Sequence, residues 1–130
     1  MKPRRTASIT HNCRYHVIFC TKYRRPVLVD GAEARFKELA RETIEELGVE
    51  MLGVDVQPDK VELVLAVNPR LSIHTVVKRI KARTSPVLRE EFAWVKSRVP
   101  SLWTNSYFVS TVGPEQPKVI KSYLESQKNM

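Results

Sequence analysis

Two charged residues, with one residue between them, lie at the start of a predicted strand. The stretch 60–67, Lys-Val-Glu-Leu-Val-Leu-Ala-Val, alternates as a β-strand with one apolar face does. Val61 lies on the hydrophobic face, so Lys60 and Glu62 share the opposite face. A pair of side chains in this arrangement could form part of an active site, and the identity of the pair decides which chemistry is open to it.

A second pair with chemical potential lies near the C-terminus. Tyr123 and Gln127 are four residues apart and therefore share one side of a predicted helix. A tyrosine hydroxyl, with an ordinary pKa near 10, is a weak nucleophile unless a cation or a base assists it. Two readings stay open for Tyr123: a nucleophile that works with the strand carrying Lys60 and Glu62, or a boundary residue of an amphipathic helix.

The chain is strongly basic, with a net charge of +8 and a pI near 9.8, which favours a polyanionic partner. Its cations cluster in a predicted loop and on a predicted helix, and clusters of this kind contact phosphates without reading base sequence. The candidate nucleic-acid-binding residues are Lys22, Tyr23, Arg24, Arg25, Lys78, Arg79, Lys81 and Arg83. Tyr23 could stack on an unpaired base or simply anchor the loop. A basic protein with no nucleic-acid role remains the alternative.

The chain length and the cysteines narrow the class of protein. The 130 residues suffice for one domain, 1–130, and no apolar run is long enough for a membrane helix or a secretory signal. Cys13 and Cys20 would lie far apart on opposite faces of one strand, so they cannot pair with each other. These features predict a cytoplasmic protein with no membrane partner and no small-molecule substrate.

Hydrophobic periodicity and turn residues predict the order βαββαβα. The predicted strands are 13–20, 50–57, 60–67 and 106–112. The predicted helices are 32–47, 73–82, 85–92 and 115–128, with an irregular connection between Trp94 and Trp103. This order predicts an α+β fold: a ferredoxin-like antiparallel sheet with helices packed on one face, and a C-terminal helix that carries Tyr123.

Four segments, in order along the chain, resemble the transposases of the insertion-sequence 200/605 family, which are single-tyrosine HUH endonucleases. The segments are 15–28 (YHVIFCTKYRRPVL), 58–64 (PDKVELV), 102–113 (LWTNSYFVSTVG) and 123–127 (YLESQ). The resemblance implies a homodimer that binds terminal hairpins of single-stranded DNA and cuts and rejoins the strand. It also implies that a tyrosine becomes linked to a DNA 5′ phosphate, while two histidines and a glutamine hold Mg²⁺ or Mn²⁺.

By this resemblance Tyr123 matches the nucleophile and Gln127 matches the glutamine ligand. Lys22, Arg24 and Arg25 match the basic loop of the family, and the cations of segment 78–83 match its basic helix.

The strand motif departs from the family pattern, because Lys60-Val61-Glu62 stands where the family has histidine, a hydrophobic residue and histidine. Glu62 could still bind a hard cation, whereas the ammonium group of Lys60 has no lone pair to offer. Lys60 either faces the scissile phosphate and supports slow, metal-independent cleavage, or forms a surface ion pair with Glu62. The corresponding functions are a single-stranded DNA transposase with impaired activity and a catalytically inactive DNA or RNA hairpin-binding protein. His16 is expected to be a hydrogen-bonded structural residue.

Overall fold

A computed structural model describes residues 13–111 and 124–129. Its sheet has four antiparallel strands in the order β2-β3-β1-β4. The strands are β1 (Cys13–Cys20), β2 (Glu50–Gln57), β3 (Lys60–Val67) and β4 (Phe108–Thr111). The helices are α1 (Ala32–Glu46), α2 (Ile73–Glu91) and α3 (Ala93–Arg98), and short 3-10 turns cover Lys22–Arg24 and Gln127–Asn129.

The predicted α+β, ferredoxin-like architecture is confirmed. Strands β1, β2 and β3 have the predicted bounds, and the turn at Pro58 and Asp59 joins β2 to β3. Helix α1 ends beside Gly48, whose φ of 70° is the left-handed conformation that glycine adopts at low cost. At the start of α2, the Ser72 hydroxyl accepts a hydrogen bond from the backbone N–H of His74, as an N-cap does.

The hydrophobic core lies between one face of the sheet and helices α1 and α2. Its centre is a cluster of three rings that meet edge to face: the Trp103 ring lies 4.8 Å from that of Phe19 and 5.5 Å from that of Phe36. The Trp103 indole N–H donates to the Thr84 hydroxyl of α2 at 3.0 Å. The core therefore holds β1, both long helices and the loop before β4 together.

The prediction of two helices at 73–82 and 85–92 is wrong, because α2 runs through Pro86 without a break. A proline inside a helix removes one backbone hydrogen bond, which normally favours an end. Here Ile80, Thr84 and Leu88 are buried at four-residue spacing on both sides of Pro86. Packing of this continuous face against the core outweighs the lost hydrogen bond.

The C-terminal third also departs from the predicted bounds. Strand β4 begins at Phe108 rather than Ser106, whose carbonyl accepts a hydrogen bond from Lys81 instead of joining the sheet. The connection predicted to be irregular contains α3. Of the predicted helix 115–128, residues 115–123 lie outside the described part of the chain; 124–126 are helical and 127–129 form a 3-10 turn.

Within residues 13–111 and 124–129, no helix has the length and apolar character needed to cross a membrane.

Candidate active site and nucleic-acid interface

Lys60 and Glu62 lie together on the face of the sheet opposite the helices, as their alternation predicts. This face continues onto β1, where Ile18 pairs with Glu62 and Cys20 pairs with Lys60 across the strands. Ile18 and Cys20 are fully buried, and burial raises the pKa of the Cys20 thiol to about 11. The charged pair therefore stands at the edge of a second, smaller apolar region.

Both carboxylate oxygens of Glu62 have a cationic or polar partner on this face. Lys60 Nζ lies 2.6 Å from Glu62 Oε2, and His16 Nε2 lies 3.1 Å from Glu62 Oε1. Partial burial opposes ionisation of Glu62, but the hydrogen bonds and charges of Lys60 and His16 outweigh it and lower the pKa of the carboxyl group. The prediction that His16 is a hydrogen-bonded residue agrees with this contact; its partnership with Glu62 was not foreseen.

This lowered pKa predicts how stability depends on pH. The carboxyl group of Glu62 binds protons less readily in the folded chain, so its contribution is present near neutral pH and is lost as the pH falls through its native pKa. We expect Glu62→Gln to reduce the free energy of unfolding by about 1 kcal/mol at about pH 7, and the two unfolding curves to converge in acid. The exposed Glu50, changed to Gln, is the matched control. If urea unfolding shows that Glu62→Gln lowers the free energy of unfolding by the same amount at neutral and at acidic pH, the expectation is contradicted.

The residues at this position do not fit the divalent metal that the resemblance implies. A metal ion bound to Glu62 would have to displace Lys60 and His16 from the two oxygens. An ammonium group 4 Å from a dication costs roughly 8 kcal/mol at an effective dielectric constant of 20. Among the residues that the structure describes, no three His, Cys, Asp or Glu side chains come together as a metal site would require.

Gln127, the other predicted ligand, is buried beside the loop that leads into β4. Its side-chain oxygen Oε1 accepts a hydrogen bond from the Ser106 hydroxyl at 3.1 Å, and only 2% of its surface is exposed. This contact uses the oxygen that would coordinate a metal ion. Tyr123, the predicted nucleophile, lies outside the described residues.

Arg24 connects the C-terminal segment to the turn before Lys60. Its guanidinium group forms a 2.7 Å ion pair with Asp59 and donates to the backbone carbonyl of Leu124 at 3.2 Å. Arg24 stays a predicted nucleic-acid contact, and in the structure it joins the turn, its own loop and the segment that carries Gln127. The loop 22–25 is thereby held beside the strand that carries Lys60.

The other residues of this loop are available at the surface. Tyr23 is 43% exposed and has a φ of 56°, a left-handed conformation uncommon for a residue with a side chain. Lys22 Nζ lies 5.2 Å from the centre of the Tyr23 ring, and Arg25 is exposed. A cation and an exposed ring side by side can contact a phosphate and an unpaired base together.

The predicted basic helix divides into exposed cations and cations with intramolecular partners. Arg83 forms a two-pronged contact with Glu46 of α1, at 3.0 and 2.9 Å. Lys81 donates to the carbonyls of Thr104 and Ser106, both at 2.8 Å, and burial lowers the pKa of its ammonium group to about 8. The remaining cations of the cluster, Lys78 and Arg79, are exposed.

Comparisons with known proteins agree with this fold. The family described as "Transposase IS200 like" matches residues 9–127. The ISDra2 transposase TnpA of Deinococcus radiodurans is 31% identical over 119 residues, which cover 90% of this chain and 85% of that protein. The transposase for insertion sequence element IS200 of Salmonella typhimurium is 29% identical over 122 residues, covering 90% and 80%.

Two solved structures have a similar fold. A crystal structure of a protein described as a candidate transposase, from Deinococcus radiodurans R1, has a TM-score of 0.84 and 32% identity, with 98% of each chain covered. A REP-associated tyrosine transposase bound to a REP hairpin has a TM-score of 0.60, with 97% of this chain and 68% of that chain covered; at 11% identity it shows the fold alone. With its match over residues 9–127, the chain belongs to the IS200-like transposase family.

Proposed function

We propose that this chain binds hairpins of single-stranded DNA as a transposase of the insertion-sequence 200/605 type, and that its strand cleavage is impaired. The proposed chemistry is attack of Tyr123 on a phosphodiester to give a 5′-phosphotyrosine link. Homodimer formation belongs to the same proposal. Family membership supports the binding function, and the transposase of similar fold that is bound to a REP hairpin supports the choice of a hairpin as partner.

The observation that carries the proposal is the state of Glu62. Lys60 of the same strand and His16 of β1 contact its two oxygens, where the resemblance implies a pair of histidines, and these contacts argue against metal-assisted polarisation of a phosphate there. The remaining cation at the site is the ammonium group of Lys60, which is paired with Glu62 and would have to leave that carboxylate to contact a phosphate. Loss of a preorganised charge stabiliser costs about a hundred- to a thousandfold in rate, which is why we place cleavage among the slow, metal-independent reactions.

Binding of a hairpin does not depend on whether metal-assisted cleavage is lost. Arg24 and Asp59 hold loop 22–25 beside the turn that precedes Lys60, so a strand in contact with Lys22, Tyr23 and Arg25 would run next to the site. The same occupancy of Glu62 also favours the second candidate function, a catalytically inactive protein that binds DNA or RNA hairpins.

One titration tests binding and metal dependence together. We expect the wild-type protein to bind a single-stranded DNA hairpin with an affinity that falls steeply with salt: four phosphate contacts give a slope of about −3 in the logarithm of the association constant against log salt, or roughly fiftyfold between about 50 and about 200 mM. Affinity and any covalent product should be the same with Mn²⁺ and with EDTA. A flat salt response would refute binding, and Mn²⁺-stimulated product would refute impairment.

Matched variants assign the contacts. Lys22→Ala with Arg25→Ala should reduce the magnitude of the slope by about 1.4. Arg83→Ala removes a cation that is paired with Glu46 and should leave the slope unchanged. An RNA hairpin bound equally well, with no covalent product on DNA at high protein concentration, would decide for the second candidate function.

A further inference from the structure

Arg24 bridges two parts of the candidate active site through the nitrogen atoms of its guanidinium group. Nη2 and Nε lie 2.7 and 3.0 Å from one carboxylate oxygen of Asp59, and Nη1 donates to the backbone carbonyl of Leu124 at 3.2 Å. Asp59 directly precedes Lys60 in the chain, and Leu124 directly follows Tyr123. One side chain therefore connects the neighbour of Lys60 to the neighbour of the candidate nucleophile.

The loop that carries Arg24 has a backbone conformation that is uncommon for residues with side chains. The φ angles of Tyr23 and Arg24 are 56° and 51°, both left-handed. Hydrogen bonds fix this loop: the Thr21 N–H donates to the Asp59 carbonyl at 3.1 Å, and the Arg24 N–H donates to the Thr21 carbonyl at 2.9 Å. The Thr21 hydroxyl donates to the Arg25 carbonyl at 2.7 Å. Such conformations persist where surrounding contacts hold them, so the Arg24 side chain extends from a fixed backbone.

The bridge is partly shielded from water, unlike the next cation of the loop. The side chains of Arg24 and Asp59 keep 19% and 24% of their surface exposed, whereas Arg25 is exposed. Partial burial reduces the screening of a charged hydrogen bond by salt. The donors of a guanidinium group form a rigid fork, so the contacts to the carboxylate and to the carbonyl are made together. A lysine, which has one nitrogen, cannot reproduce this geometry.

The described C-terminal segment has a second attachment three residues after Leu124. The buried side chain of Gln127 accepts a hydrogen bond from the Ser106 hydroxyl at 3.1 Å. Residues 124–126 are the last helical residues before a 3-10 turn, and carbonyls at a helix end accept hydrogen bonds from side chains. Because consecutive Cα atoms are about 3.8 Å apart, the contact at Leu124 also limits the positions open to Tyr123.

We propose that Arg24 is a positioning residue, which fixes the segment that follows Tyr123 relative to the strand that begins at Lys60. This inference rests on the proposed function, because it takes Tyr123 as the nucleophile. It gives Arg24 a role distinct from the phosphate contacts expected of Lys22 and Arg25. A misplacement of about 1 Å can cost about a hundredfold in rate. Loss of the bridge should therefore slow the attack on the phosphodiester even when the DNA is fully bound.

The test measures the rate constant of covalent adduct formation in a single turnover, with hairpin DNA at saturating concentration. We expect Arg24→Ala to lower this rate constant by about ten- to a hundredfold. Arg24→Lys, which keeps the charge without the fork of donors, should lose about as much. Arg35→Ala is the matched control, because Arg35 forms a forked pair with Glu91 outside the site, and it should leave the rate constant unchanged. If saturating DNA restores the wild-type rate constant in Arg24→Ala, or if Arg24→Lys retains it, the proposal is overturned.

The partner carboxylate gives a second check on the bridge. Asp59→Ala removes one end of it and should also lower the rate constant. Combined with Arg24→Ala, it should lower the rate constant no further than Arg24→Ala alone, because both changes break one bridge. Two effects that multiply in the combined variant would show that Arg24 and Asp59 act separately, which contradicts the proposal.

Amide hydrogen exchange of the DNA-free chain, followed by mass spectrometry, separates failure of this inference from failure of the proposed function. We expect residues 124–129 to exchange about tenfold faster in Arg24→Ala and at the wild-type rate in Arg35→Ala. Strand β3 should exchange equally in all three proteins, which shows that the fold is kept. If the wild-type protein forms no adduct, the proposed cleavage fails and exchange alone decides. Equal exchange of residues 124–129 in the wild type and in Arg24→Ala would then overturn the role of Arg24.

Discussion

Replacing both Lys60 and Glu62 by histidine should raise the yield of Mn²⁺-dependent covalent adduct on single-stranded DNA by about a hundred- to a thousandfold. The double change removes the ammonium group that repels a dication and supplies two neutral imidazoles with lone pairs for it. His16, which contacts Glu62 in the wild type, would lose this carboxylate as its partner. The adduct is measured by denaturing gel with labelled hairpin DNA, in Mn²⁺ and in EDTA.

Two controls make this result specific. Adding Tyr123→Phe to the double variant should abolish the adduct. Asp55 and Gln57 of β2 pair across the strands with Glu62 and Lys60, so Asp55→His with Gln57→His places the same histidine pattern on the adjacent strand while Lys60 and Glu62 remain. This control should give no gain. If it gains as much as the Lys60 and Glu62 variant, or if neither gains, the account of the site as a metal site blocked by Lys60 is wrong.

Trp103→Ala should destabilise the fold by about 3–5 kcal/mol, a large share of the 5–15 kcal/mol typical of a domain. Trp103 is 6% exposed, meets the rings of Phe19 and Phe36, and donates to the Thr84 hydroxyl. Truncation leaves a cavity between the sheet and α2 and removes the contact that holds the loop before β4.

Urea unfolding followed by far-ultraviolet circular dichroism measures this cost. Leu52→Ala is the matched control, because Leu52 is a large apolar side chain that is 42% exposed, and its loss should change the free energy of unfolding by about 0.5 kcal/mol or less. A cost below about 1 kcal/mol for Trp103→Ala would show that the three-ring cluster is not the centre of the core.

Local sequence pattern was enough to predict the architecture and the position of the strand motif. Alternation over 60–67 placed Lys60 and Glu62 on the face away from the core, and the structure agrees. Local pattern failed at Pro86. This residue normally ends a helix, but the burial of Ile80 and Leu88 on either side keeps α2 continuous. Propensity is a matter of neighbours along the chain, whereas burial depends on what packs against the helix.

The roles of the cations show the same division. Lys78 and Arg83 look equally available in the sequence. Only the fold separates the exposed Lys78 from Arg83, whose guanidinium group is paired with Glu46. Arg24 and Lys81 likewise hold distant backbone carbonyls, at Leu124 and Ser106. These partners lie 20 or more residues away along the chain, where no spacing rule reaches, so the sequence could not show which cations are held by intramolecular contacts.

The sequence by itself determined the family, the sheet with its helices on one face, and the replacement of two histidines by Lys60 and Glu62. Only the tertiary structure decided which side chains contact the replaced pair, because the register of β1 against β3 brings His16 to the second oxygen of Glu62. Period-two alternation tells which face a side chain occupies, but the partner on that face depends on strand pairing, which is a long-range property of the packed chain.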